Sequence, residues 1–163
     1  MKSIKLGYEI ETAYWAGFFD GEGSVMITKT FSKDGFHKNP TYQFQAGVAT
    51  TDKKSMQDLK LFAGVGWLVE RRYKKLNQRN SYYWGCKGDK AVIFLQKILP
   101  YLRLKKPQAL VGIEFQTGKN QPNKSGGKLR PLNPEEIKYR ESMRTKIMKL
   151  NRKGSNKGQY REL

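Results

Sequence analysis

A chain of 163 residues, 37% hydrophobic and 12% aromatic, is long enough to close one sizeable core and too apolar to be disordered. Its 32 Lys and Arg against 14 Asp and Glu give a formal charge of +18, a self-repelling excess that points to a polyanionic partner. Lone Cys86 and lone His37 exclude a disulfide framework, a zinc cluster built on either residue and a Ser-His-Asp triad, which leaves carboxylates and lysines for any chemistry.

Residues 1–11 are mixed and polar and read as a lead-in, with Thr12 as a helix N-cap. Ala13 to Asp20 is almost continuously apolar, which predicts a buried helix. Ala13, Gly17 and Gly21 recur every four residues, so they share one face that another backbone can approach closely. Tyr14, Trp15, Phe18 and Phe19 occupy the remainder. The pattern suits one face against a second helix and one inside its own core, although an ordinary buried helix with aligned glycines has the same spacing. Gly21-Glu22-Gly23 closes the segment with a carboxylate in a turn.

After Gly23 the period changes to two. Val25 and Ile27 face one way, and Ser24, Met26, Thr28 and Thr30 the other. A turn-rich loop over 32–40, with Ser32 and Lys33 at its start, leads to a second strand in which Tyr42, Phe44, Ala46 and Val48 alternate with Thr41, Gln43, Gln45 and Gly47. Hydroxyls and amides on the polar face, rather than Lys and Glu, suit a surface that reads base edges. Asp52 to Ala63 reads as a helix stopped by Gly64-Val65-Gly66. Residues 67–74 and 80–87 form a hairpin around a basic bend, carrying Arg71, Arg72, Tyr73, Lys74, Arg79, Tyr82, Tyr83 and Trp84. Cations interleaved with aromatics suit contact with a nucleic-acid backbone and its bases.

Lys90 to Leu99 is a further helix, followed by a basic loop at Leu102-Arg103-Leu104-Lys105-Lys106-Pro107 and a helix from Gln108 to Thr117. Residues 118–133 read as a flexible connection. Asn133-Pro134-Glu135-Glu136 is a strong helix start, and that helix is expected to reach about Asn151, before a loose basic tail over 152–163. The whole is one α+β domain with its core over about 8–118: an antiparallel four-stranded sheet, helices on one face and a basic-polar surface on the other. No apolar run approaches the ~20 residues of a membrane span, and no signal peptide or amphipathic anchor is visible, so an intracellular protein off the membrane is expected.

Trp15-Ala16-Gly17-Phe18-Phe19-Asp20-Gly21-Glu22-Gly23 resembles the signature of the LAGLIDADG homing endonucleases, with Trp for the usual leading aliphatic. The order of helix and strands fits too, as do Gly64-Val65-Gly66 and the basic loop around Lys105, so the likeness covers roughly residues 8–115. With a single copy of the signature, the chain is similar to the branch whose members act as homodimers, which implies a saddle-like αββαββα subunit joined through Ala13, Gly17 and Gly21. The resemblance implies that Glu22, helped by the Gly21 carbonyl, binds a divalent cation, Mg²⁺ by preference, with Mn²⁺ substituting and Ca²⁺ permitting binding without cleavage. It gives Asp20 a structural role, capping or interface. Lys105 matches the family's basic-loop lysine near the attacking water or phosphate. Where the family often has Gln after the second strand, this chain has Ala49-Thr50-Thr51, so Thr50 is the nearest residue for orienting water.

The residues expected on duplex DNA are Ser24, Met26, Thr28, Thr30, Ser32, Lys33, Gln43, Gln45, Arg71, Arg72, Tyr73, Lys74, Arg79, Tyr83, Lys105 and Lys106. The activity implied is a metal-dependent double-strand break in a long pseudo-palindromic site, as in intron homing. Two other readings compete with it: an intron maturase binding RNA on the same scaffold, and a non-catalytic basic DNA-binding protein. An intact Glu22 favours cleavage.

Overall fold

The computed structural model describes residues 2–31, 40–72, 79–119 and 132–152. The 32–39 loop with Ser32, Lys33 and His37, the bend with Tyr73 and Lys74, most of the expected 118–133 connection and the tail from 153 lie outside the described residues.

Helix α1 spans Lys2–Glu22, well beyond the expected Ala13–Asp20, and Thr12 is inside it rather than at its N-cap. The reason is local. Residues 2–11 supply Lys, Glu and Leu, good helix formers, and the Thr12 hydroxyl donates to the Tyr8 carbonyl at 2.7 Å. A threonine satisfied by the preceding turn has no need to cap. The buried positions Thr12, Trp15, Ala16, Phe19 and Asp20 form one helical stripe, while Ala13, Gly17 and Gly21 are exposed on the other side.

Strands β1 (Gly23–Thr30), β2 (Thr41–Thr50), β3 (Trp67–Arg71) and β4 (Ser81–Lys87) make one antiparallel sheet in the order β1-β2-β4-β3. Pairing runs from Gly23 opposite Val48 to Thr30 opposite Thr41, and Trp84 stands opposite both Val48 and Leu68. This register gathers Val25, Ile27, Phe44, Ala46, Val48, Trp84 and Cys86 on one face, where they are buried. Helices α1, α2 (Lys53–Ala63), α3 (Asp89–Ile98) and α4 (Lys106–Lys119) supply most of the rest of that core. Its centre is aromatic: Phe94 meets Trp84 edge-on at 4.6 Å and Phe19 at 5.5 Å. Burial pushes the Cys86 thiol up to about 12, so it stays a neutral core group.

Helix α2 starts at Asp52, which caps Ser55 N–H at 3.0 Å, and stops at Gly64. Helix α5 (Pro134–Asn151) starts as its sequence predicts, with Asn133 and Glu136 exchanging side-chain and main-chain bonds in a capping box. Met143 and Ile147 put it in the same core. Glu141 ties it down by accepting from Lys29 at 2.8 Å, from the Tyr42 hydroxyl at 2.6 Å and from Arg144 at 2.9 Å. At its far end Asn151 Nδ2 donates to Val25 O at 2.8 Å, on edge strand β1.

Candidate active site and nucleic-acid interface

The outward face of the sheet follows from the register. Ser24, Gly47, Gly85 and Trp67 form one cross-strand row, Met26, Gln45 and Lys87 the next, then Thr28 with Gln43 and Thr30 with Thr41. Ala49, Tyr83 and Val69, with Ser81 and Arg71, complete it on the other side. Among the described strand residues no carboxylate points outward; Glu70 has the inward parity of its partner Tyr82. The sheet therefore offers amides, hydroxyls, aromatics and cations to whatever lies over it.

Several of these groups are already oriented. Ser24 Oγ donates to Gly47 O at 3.2 Å and Thr28 Oγ1 to Gln43 O at 3.3 Å, across the β1–β2 pair. The Tyr83 ring lies over Gly47 and Gly85, where a Cβ at either position would run into it. Burial raises the Tyr83 phenol above its ordinary value, and the Arg71 guanidinium sits 5.2 Å from its ring centre. Lys87 Nζ lies 5.3 Å from the Trp67 ring. Gln43 is exposed and Gln45 half-buried on the same face.

Of the expected contact residues, Ser24, Met26, Thr28, Thr30, Gln43, Gln45, Arg71 and Tyr83 share this face. Arg72 lies just beyond β3 and pairs with Glu70 at 3.2 Å, and Arg79 is exposed before β4. Lys105 and Lys106 belong to the basic loop and the first turn of α4. Trp67 and Lys87 were missed by sequence reasoning. Strand parity was the available signal: Lys87 is two steps of two from Tyr83, and Trp67 two steps of two from Arg71.

At one end of this face α1 turns into β1. Gly23 makes the turn possible, since a Cβ there would collide with the Phe19 carbonyl and ring. Glu22 is thereby presented at the helix end, exposed and with no hydrogen-bond or ion-pair partner among the described residues. Asp20, two residues earlier, is only 9% exposed and faces inward. Its carboxylate accepts the Arg103 N–H at 2.7 Å and the Lys105 N–H at 2.8 Å. Lys105 Nζ in turn donates to the Asp20 carbonyl at 2.9 Å. The basic loop is thus fastened to the last turn of α1, which brings Lys105 and Glu22 to one edge. Thr50, at the end of β2, is half-buried with inward parity, and its hydroxyl accepts the Asp52 N–H at 3.3 Å.

This edge offers the oxygen ligands that hard cations take, a carboxylate and main-chain carbonyls of a helix C-terminus, together with an ammonium. Among the described residues there is no group of three or more His, Cys, Asp or Glu able to hold a metal. A cavity of about 630 Å³ between α1, α2 and α3, lined by Trp15, Phe62 and Lys97 among others, contains neither Glu22 nor Lys105.

A family model of the LAGLIDADG endonucleases matches residues 15–109, more than half of the chain. No sequence among curated proteins matches it. Among solved structures it is similar to the homing endonuclease I-CvuI in complex with its target, at 21% identity, 89% of this chain, 84% of that one and a TM-score of 0.71. The archaeal intron-encoded homing endonuclease I-Vdi141I, complexed with DNA, gives 21% identity, 90% and 87% coverage and a TM-score of 0.70. I-GzeII, in complex with a DNA target, gives 15% identity and a TM-score of 0.58, and there the match covers 82% of this chain but 43% of that one. At these identities the likenesses show the fold. The matched segment begins at Trp15, runs through the turn that exposes Glu22 and ends just past the loop that carries Lys105; the chain belongs to the LAGLIDADG endonuclease family.

Proposed function

We propose that the chain is a sequence-specific, divalent-metal-dependent DNA endonuclease that acts as a homodimer and breaks both strands of a long pseudo-palindromic site. The observation that carries this reading is the exposed Glu22 carboxylate, two residues past the Asp20 carbonyl that Lys105 holds, at the edge of a sheet face with no outward acid among its described strand residues. Two copies joined through the exposed Ala13, Gly17 and Gly21 face of α1 bring two Glu22 carboxylates and two Gly21 carbonyls together. With phosphate and water oxygens these complete a set suited to Mg²⁺. When bound there, the cation supplies an activated water and stabilises charge developing on the phosphate. I-CvuI is seen on its own target with 2 mM Ca and, on the I-CreI target left uncleaved, with 2 mM Mg; the divalent ion in both supports one for this chain as well.

The protein's own groups do the remaining work. Lys105 offers a positive charge to the phosphate in the transition state. Thr50, whose hydroxyl still has its proton to donate, orients water from the β2 end. Gln43, Gln45, Thr28 and Thr30 read base edges, while Arg71, Lys87, Arg79 and Lys106 hold phosphates and fix register. Dimer symmetry imposes a pseudo-palindrome on the target.

The test is a library of duplex sites incubated with the purified protein in Mg²⁺, in Ca²⁺ and in EDTA. Specific double-strand cuts are expected in Mg²⁺ alone. Glu22→Gln should abolish them while leaving binding in Ca²⁺ intact; a Glu22→Gln protein that cuts like its parent would falsify the assignment.

A further inference from the structure

Asp20 does more at this edge than a helix cap requires. One acceptor for the Lys105 N–H would start α4, whose first bond runs from Ala109 N–H to Lys105 O at 2.9 Å. The second bond, to Arg103 N–H, adds hold on the loop, and the return bond from Lys105 Nζ to the Asp20 carbonyl serves the position of the ammonium itself. The two residues thus hold one another reciprocally, the side chain of each on the main chain of the other, across 85 positions of sequence.

The geometry points to Asp20 as a positioning residue for cleavage, acting through Lys105; the inference rests on the endonuclease reading above. The C-terminal end of a helix carries partial negative charge, and here it also carries the Glu22 carboxylate. On the endonuclease reading, both lie beside the phosphate to be cut. Lys105, fastened to the last turn of α1, sets a positive charge among them before DNA arrives, in place of a long side chain free to sample solvent. Asp20→Asn retains size but has one acceptor oxygen where two N–H groups need one each, so the loop and its ammonium should move.

The experiment is a double-mutant cycle on the full chain, with the duplex that the parent cuts. Asp20→Asn should lower kcat in Mg²⁺ by about tenfold to a hundredfold, the scale of an ångström-sized misplacement. Affinity for the uncut duplex in Ca²⁺ should stay within about threefold, and in a Lys105→Ala background the Asp20→Asn loss should shrink to about twofold. Should Asp20→Asn fail to fold, Asp20→Glu, which keeps both acceptors one methylene further out, takes its place in the same cycle. Equal losses in the two backgrounds, no loss at all, or a Lys105→Ala protein that cuts like the parent overturns the inference. A parent that cuts no duplex in Mg²⁺ overturns the endonuclease reading and the inference with it, whereas an additive cycle in a parent that does cut overturns the inference alone.

Discussion

Glu141 accepts from three neighbours, and the Lys29 ammonium, followed by the Tyr42 hydroxyl, holds its carboxyl at about 2, well below the ordinary 4.5. Lys29 is raised in return by the same contact. A depressed folded-state pKa contributes stability that is complete above the unfolded value and is lost as pH falls through the folded one. Melting temperature should therefore drop between about pH 4.5 and pH 2, and Glu141→Gln should flatten that drop while lowering stability at neutral pH. Thermal melts across the window check this, and parallel curves for parent and variant would remove Glu141 from the account. None of this was legible in the sequence, because Lys29 and Glu141 are 112 residues apart and meet only once α5 docks. The outward parity of Gln43 and Gln45 was legible, because each alternates with a core residue on its own strand.

Among the elements, α1 carries the most. Its exposed glycines leave open space where a Cβ at Gly17 or Gly21 would stand, which is what a second helix needs for close approach. Gly17→Leu should abolish the proposed dimer while the monomer still folds, since Gly17 is exposed and a Cβ there meets nothing within 4 Å. Light scattering with circular dichroism tests both halves, and an unchanged dimer mass sinks this interface. The strands, α2 and α5 were readable because alternation, the Gly64-Val65-Gly66 stop and the Asn133-Pro134 start are local signals. The first turns of α1 were not, since residues 2–11 have no apolar period and Thr12 resembles a cap until its hydroxyl is seen on Tyr8. The Asp20–Lys105 hold was hidden for another reason: it is a tertiary contact made with main-chain groups, which leave no mark on residue type.

For the whole molecule, a chain charge of +18 and a sheet face with no outward acid among its described strand residues predict binding dominated by counterion release. The logarithm of affinity should fall linearly with that of salt concentration, and Arg71→Ala or Lys87→Ala should each flatten the slope by about one phosphate. A slope indifferent to both substitutions would place the backbone elsewhere. The sheet's two rims also matter at this scale. Strand β1 is tied at Val25 by Asn151, and β3, the opposite rim, is short and charged at Glu70 and Arg71. Neither invites another strand. In the proposed dimer two copies then do not extend one continuous sheet, with strands ~4.8 Å apart; they meet through α1, whose bare glycines allow an axis separation near the lower end of the usual ~8–10 Å. In that dimer the distance between the two cuts on the duplex is a quantity set by helix packing, and a residue only one methyl larger on that seam, as in Gly17→Ala, should alter the length of the overhang before it alters which bases are read.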